Sequence, residues 1–119
     1  VAGIVVRALD APQWWNIKVS DSVNEIISVP PQMVSQKGIA DMSLYEKIKL
    51  ANFKNILSYP FWFTASSGNN SYIYDMYYGR ARQLLNNKQQ EEFDKEIKNV
   101  NEKSQSILSV PLHCCIGYK

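Results

Sequence analysis

The chain has 119 residues, of which 45% are hydrophobic and 20% are charged, and its formal net charge at pH 7 is +2. This length suits one domain with a single core, and the composition argues against disorder. Because the charge is small and both signs are interspersed, we expect no nucleic-acid partner. The apolar runs are far shorter than the ~18 residues of a membrane-spanning helix. We therefore expect a soluble chain with no transmembrane segment.

Residues 1–40 are predicted to form an extended arm with one or two helical turns. The β-branched residues 4–6 favour extended structure, and Pro12 interrupts the segment. Ser22 and Glu25 have the spacing of a capping box, which predicts a short helix that ends before Pro30. A second short helix is predicted between Pro31 and Gly38, since proline suits a first turn and glycine a C-terminal cap.

The arm also carries two adjacent tryptophans, Trp14 and Trp15. In an extended segment they point to opposite sides, so one can enter a core while the other remains available to a partner. The alternative is that both cover a groove between helices, which aromatic side chains do well because of their large apolar area.

The first main helix is predicted over residues 43–58. Ser43 and Glu46 form a second capping-box pattern, and the run that follows lacks glycine and proline until Pro60. Its apolar residues fall on two opposite helical faces, which is typical of a helix packed between two layers. These faces carry Leu44, Tyr45, Ile48 and Ala51 on one side, and Leu50, Phe53 and Leu57 on the other.

Residues 59–78 are unusually rich in aromatic side chains. Two interpretations of this stretch compete. Residues 61–64 and 72–76 can pair as a β-hairpin, or residues 64–70 can form a loop before a helix over 71–86. The helix is favoured because the apolar spacing of three and four continues through Leu84. The aromatic residues of the stretch are Tyr59, Phe61, Trp62, Phe63, Tyr72, Tyr74, Tyr77 and Tyr78.

The last main helix is predicted over residues 88–109, with Asn87 as its cap and a narrow apolar stripe that includes Phe93 and Ile97. The predicted fold is therefore all-α, a bundle of three to four helices in one domain covering residues 1–119. The arm occupies 1–40, the bundle 41–109 and a C-terminal tail 110–119.

The tail contains His113, Cys114 and Cys115 in succession. Adjacent cysteines form a disulfide only with strain, and structural zinc usually has four ligands with spacers between them. We therefore predict a tail that tucks its thiols against the core, with no metal site and no cofactor. The redox and acylation states of the thiols stay open, as do the compartment and the use of the Asn69 glycosylation sequon. A chain that begins at Val1 is compatible with a processed protein of an organelle lumen or a secreted one.

For function, the aromatic surplus is the strongest signal. Three successive aromatics cannot all face one core, so at least one is expected to meet a partner or a ligand. The predicted function is a non-enzymatic accessory subunit that docks on a larger protein assembly through its arm and residues 59–78. The candidate binding residues are Trp14, Trp15, Tyr59, Phe61, Trp62, Phe63, Tyr72, Tyr77 and Tyr78.

Two alternatives stay open. The first is a carrier that holds a small apolar ligand in an aromatic-lined cavity. The second is an enzyme that uses His113 and Cys114. In architecture alone, a bundle behind a proline-containing arm resembles the extrinsic PsbQ-type subunits of photosystem II, and that resemblance implies an accessory role in a protein complex.

Overall fold

A computed structural model describes residues 1–8, 10–30 and 43–119, together with the backbone of residues 39–40. Within these residues the elements are five strands and four helices. In chain order they are β1 (Ala2–Ala8), β2 (Trp14–Trp15), α1 (Asp21–Ile27), β3 (Ile39–Ala40), α2 (Leu44–Leu50), β4 (Lys54–Ser66), α3 (Ser71–Leu84), α4 (Asn87–Lys103) and β5 (Ile107–Tyr118).

The fold is mixed α+β, and the all-α prediction is wrong. Strand β5 pairs antiparallel with β1, from Ala2 opposite Gly117 to Arg7 opposite Leu112, and it also pairs with β2 and β4. Strand β1 pairs with the short β3 in parallel. Because the chain does not form a helical bundle, the architectural resemblance to PsbQ-type subunits does not apply to it.

The helix predicted over 43–58 ends early. Helix α2 stops at Leu50, and Asn52 and Asn55 then adopt positive φ angles of 66° and 53°. A left-handed residue cannot continue an α-helix, and asparagine tolerates this conformation better than most residues do. The chain therefore turns and enters β4, which contains residues that the sequence pattern assigned to a helix.

The C-terminal prediction is wrong in a similar way. Helix α4 ends at Lys103 rather than near 109, and residues 107–118 form β5 instead of a helix end and a loose tail. The partners that hold β5 in a sheet include β1, which lies at the other end of the sequence. A local pattern carries no information about such a distant partner.

Other helix predictions are confirmed. Helix α1 lies where the first capping-box pattern placed a short helix, and α3 begins at Ser71. This start confirms the predicted helix and excludes the hairpin, but the predicted loop is shorter than 64–70 because β4 continues to Ser66. Helix α4 has a true capping box one residue earlier than predicted, because Asn86 and Gln89 exchange side-chain and backbone hydrogen bonds of 2.9 and 3.0 Å. The helix predicted between Pro31 and Gly38 lies outside the described residues.

The chain forms two compact units. Unit 1 contains residues Val1–Pro12, Pro30–Phe63 and Val110–Lys119. Its core joins one side of β1 and β5 to helix α2, because Leu44 and Ile48 of α2 pack with Cys115 of β5. The partly buried residues around them are Ile4, Val6, Phe53 and Ile56.

Unit 2 contains residues Gln13–Val29 and Thr64–Ser109. Its core is a cluster of four aromatic rings from β2, α3 and α4. The ring of Trp15 lies 5.8 Å from that of Tyr74 and 5.4 Å from that of Phe93, and Tyr78 stacks on Phe93 at 5.4 Å. The indole N–H of Trp15 also donates a 3.0 Å hydrogen bond to the carbonyl oxygen of Ile27. The tryptophan therefore buries its apolar ring and keeps a hydrogen-bond partner for its N–H group.

Candidate functional site

The two faces of the sheet in unit 1 differ in what they contact. Residues directly opposite one another in an antiparallel pair point to the same face. Ile4 is opposite Cys115, and both belong to the core beneath α2. Val5 is opposite Cys114 and therefore lies on the other face, where its side chain is 62% exposed. We call this second face the open face because of the exposure of Val5, although the smaller Cys114 on it is buried.

Strand β4 extends the open face. Ile56 packs against the core, so the alternation of side chains along a strand places Leu57, Tyr59 and Phe61 on the open face with Val5. Leu57 and Phe61 are 58% and 52% exposed. Three large apolar side chains of one strand therefore face solvent next to one another.

The opposite side of the same strand is exposed as well. Trp62 lies on the face of Ile56, but its side chain is 51% exposed, and every residue from 57 to 62 is exposed to solvent. Single exposed apolar residues are common on protein surfaces, whereas a contiguous group marks an interaction site, and Leu57, Tyr59 and Phe61 form such a group on one face. We define the β4 surface as these three residues together with Val5 of β1 on the same face and Trp62 on the opposite face.

The β4 surface has an uneven charge distribution. Within β4, Lys54 is the sole charged residue, and residues 55–66 carry none. The end of the strand that carries Lys54 also lies beside Lys119, whose ammonium nitrogen is 5.4 Å from the ring centroid of Phe53. One end of β4 is therefore basic, and the rest of the strand is neutral and largely apolar.

Strand β4 has the features of an edge strand. In the described part of the chain β5 is the strand with which it pairs. It also contains Pro60, which has no N–H group. A central strand donates N–H groups to neighbours on both sides, so proline within a sheet is found mainly on edge strands. An edge strand can accept a further strand along its outer side.

The predicted binding residues fall into two groups. In unit 1, Tyr59, Phe61 and Trp62 are exposed and Phe63 is half-buried. In unit 2, Trp14 and Tyr72 are exposed, at 54% and 81%. The remaining three belong to the interior or its border: Trp15 and Tyr77 are buried, and Tyr78 is half-buried. The structure thus brings together Tyr59, Phe61 and Trp62 on β4, whereas Trp15 and Tyr78 support the core of unit 2.

Tyr78 is held by charged neighbours on α3 and α4. Its hydroxyl donates a 2.6 Å hydrogen bond to Asp94, and the same carboxylate forms an ion pair of 3.0 Å with Arg82. Burial, followed by the hydrogen bond and the negative charge of Asp94, together raise the pKa of Tyr78 to about 12. This arrangement ties the two helices together and keeps the phenol protonated, so it has a structural role.

The C-terminal strand separates the candidate catalytic residues. His113 is opposite Val6 and Cys114 is opposite Val5, so their side chains point to different faces of the sheet. His113 forms a 2.8 Å contact with Asp10, and both cysteines are buried with free thiols. Burial raises the pKa of the Cys115 thiol, which lowers its reactivity.

Within the described residues, no group of three or more histidine, cysteine and acidic side chains is placed to hold a metal ion.

Two residues of the β4 surface were missed at the sequence level. The sequence pattern places Leu57 on one of the two apolar faces of a helix over 43–58, and Val5 only in an extended arm. A usable signal was present, because aromatic and β-branched residues are dense from Ile56 to Thr64 and Pro60 is typical of an edge strand.

The chain matches no protein-family model, and neither the curated proteins nor the solved structures contain a significant relative. In the described part of the chain, no helix is both long and apolar enough to cross a membrane.

Proposed function

We propose that this chain is a non-enzymatic interaction subunit that binds a protein partner through the β4 surface. The observation that carries the proposal is the run of six exposed residues from Leu57 to Trp62, four of which are large and apolar or aromatic. Full burial of one such side chain from water is worth about 1.5–3 kcal/mol, and because these four are 39–58% exposed, covering one is worth about half as much. A partner that covers several of them therefore gains a substantial part of a binding free energy.

The chemistry of the surface suits a protein interface. Tyrosine and tryptophan are enriched among the residues that dominate binding energies, because they bury a large area with few rotatable bonds. The β4 surface offers Tyr59, Phe61 and Trp62 on a strand that is anchored to β5. A rigid element loses little conformational entropy on binding, which favours affinity.

The arrangement of the aromatic rings gives less support to the alternative function, which is the carriage of a small apolar ligand. A carrier needs rings that surround a cavity. In unit 2 the rings of Trp15, Tyr74, Tyr78 and Phe93 pack against one another at centroid distances of 5.4–6.4 Å. In unit 1 the rings of Tyr59, Phe61 and Trp62 face solvent.

Native mass spectrometry of the protein isolated from its source tests the proposal. We expect the intact protein to carry one or more additional protein chains. The double variant Phe61→Ser/Trp62→Ser should lose those chains while it keeps its melting temperature. Leu84→Ser is the matched control, because Leu84 is a 54% exposed apolar residue of α3 outside the β4 surface. This control should retain the partner.

Two results would contradict the proposal. One is retention of the partner by the Phe61→Ser/Trp62→Ser variant to the same extent as by the unmodified chain. The other is a lone 13.6 kDa chain that carries a small labile adduct, which would favour the carrier instead.

A further inference from the structure

We propose that the partner binds by strand addition, and that it supplies an extended segment that is uncharged except for acidic residues at its carboxyl end. This inference rests on the proposed function, since it specifies the partner of the same surface. The added segment would lie along the outer side of β4, where main-chain hydrogen bonds provide affinity and alternate side chains provide specificity.

The exposure pattern of β4 supports strand addition. A strand that serves only as one side of a docking face keeps its other side covered. Here Phe61 and Trp62 lie on opposite faces of β4 and are exposed to nearly the same degree, 52% and 51%. A segment paired beside β4 places its own side chains on both faces, next to both rings, so one partner strand covers both.

The charge distribution specifies the chemistry and the direction of the segment. Lys54 and Lys119 lie at one end of β4, and residues 55–66 are neutral. An acidic residue of the partner is attracted by the lysines at that end of β4. Elsewhere on the strand it meets no positive charge. Antiparallel pairing is the slightly more stable arrangement and brings the carboxyl end of the partner to Lys54, the first residue of β4.

A second copy of this chain fits the same edge less well. Pairing of β4 with its own copy would place two Pro60 residues in one short ladder, each without an N–H donor. Antiparallel self-pairing would also bring Lys54 opposite the neutral end of the other strand, without an acidic residue to complement it. A different protein segment loses only one donor and can complement the lysines.

Fluorescence anisotropy with synthetic peptides tests the inference. The probe is a blocked ten-residue peptide of alternating valine and threonine that ends in two aspartates at its carboxyl end. One control carries two lysines there, one carries the aspartates at the amino end, and one has N-methyl groups on alternate residues. We expect the first peptide to bind about tenfold more tightly than each control, a difference of about 1.4 kcal/mol.

Charge reversal on the protein gives the reciprocal test. Lys54→Glu should weaken the binding of the peptide that ends in aspartates and strengthen the binding of the peptide that ends in lysines. Lys88→Glu is the matched control, because it makes the same change in net charge on α4 and places the new carboxylate in the first turn, where a helix favours it. This control should bind all peptides as the unmodified chain does.

Several results would overturn strand addition. These are absence of binding up to millimolar peptide, equal binding of the four peptides, a dimer in sedimentation that Lys54→Glu does not affect, or binding to vesicles that contain anionic lipids in preference to the peptides. If the peptides fail while native mass spectrometry still shows a partner that depends on Phe61 and Trp62, strand addition is wrong and the proposed function stands. If that partner is also absent, both proposals fail.

Discussion

Aromatic residues are similarly dense in the sequence of unit 2 and of β4 in unit 1, but those that form the ring cluster of unit 2 pack in a core, whereas those of β4 are largely exposed to solvent. In unit 2, Tyr74 and Tyr78 are spaced by four residues on α3, so they stack on one side of the helix with a centroid distance of 6.4 Å. In β4, Phe61 and Trp62 are adjacent and point to opposite faces of a strand. Helical spacing gathers aromatic rings into a core, whereas adjacency in a strand distributes them over two surfaces.

The largest expected effect comes from removal of a ring from the core of unit 2. Phe93 is 0% exposed and contacts Trp15 and Tyr78. Phe93→Ala should lower the free energy of unfolding by about 3–5 kcal/mol, because it removes buried apolar area and leaves a cavity. Phe61→Ala on β4 should change it by no more than about 0.5 kcal/mol. Urea denaturation measures both values, and equal losses would contradict the distinction between core and surface.

An intermediate effect is expected at the polar border of the same core. Tyr74 donates a 2.7 Å hydrogen bond to Ser106, and the two residues are 6% and 1% exposed. Ser106→Ala should cost about 1–3 kcal/mol, because it leaves a buried phenol without its acceptor. The control is Ser109→Ala, whose hydroxyl meets Thr64 at an exposed position and should matter far less. A double-mutant cycle with Tyr74→Phe should show that the two losses are not additive.

A pH-dependent effect sharpens the comparison at α3 and α4. Burial and then the hydrogen bond to Asp94 raise the pKa of Tyr78 from 10.0 to about 12, so the folded chain holds the phenolic proton more tightly than the unfolded chain does. The resulting stability is fully present below pH 10 and is lost as the pH rises from 10 to 12. Unfolding of the unmodified chain and of Tyr78→Phe, measured by urea midpoints across this range, should converge as the pH rises. A constant difference would contradict the assignment.

The smallest change in stability is expected at Trp62. Trp62→Phe should alter the free energy of unfolding by no more than about 0.5 kcal/mol, since the side chain is 51% exposed. It should nevertheless remove a red-shifted component of the fluorescence that acrylamide quenches readily. Trp15→Phe should instead remove a blue-shifted component that is protected from quenching, because Trp15 is 5% exposed. Equal quenching of the two components would show that β4 is covered in the free chain.

The sequence patterns predicted α3 and the start of α4 because these helices contain long runs with regular apolar spacing. They failed at α2 and β4, where Phe53 and Leu57 fit a helical wheel but Asn52 adopts a positive φ angle and ends the helix. They also failed at β5, because its pairing of Ile4 with Cys115 depends on residues more than a hundred positions apart. Local periodicity cannot report contacts of that range.

The candidate site was predictable in part. Because three successive aromatics cannot share one core, at least one of Phe61, Trp62 and Phe63 is predicted to be accessible, and Phe61 and Trp62 are exposed. The predicted binding residues also include Trp15 and Tyr77, which are buried. The difference depends on which element each ring occupies, so the β4 surface could not be outlined before the strand itself was known. Val5 was missed for the same reason, since its place on the open face follows from its pairing with Cys114.

The pairing of β1 with β5 has a consequence for the order of events during protein synthesis. Ile4 leaves the ribosome before its partner Cys115, which lies 111 residues further along the chain. At 5–20 residues per second, β1 waits on the order of 5–20 seconds for β5. During that interval the apolar side chains of β1, and later those of β4, have no completed sheet to join. The nascent chain should therefore depend on ribosome-associated chaperones until β5 has emerged.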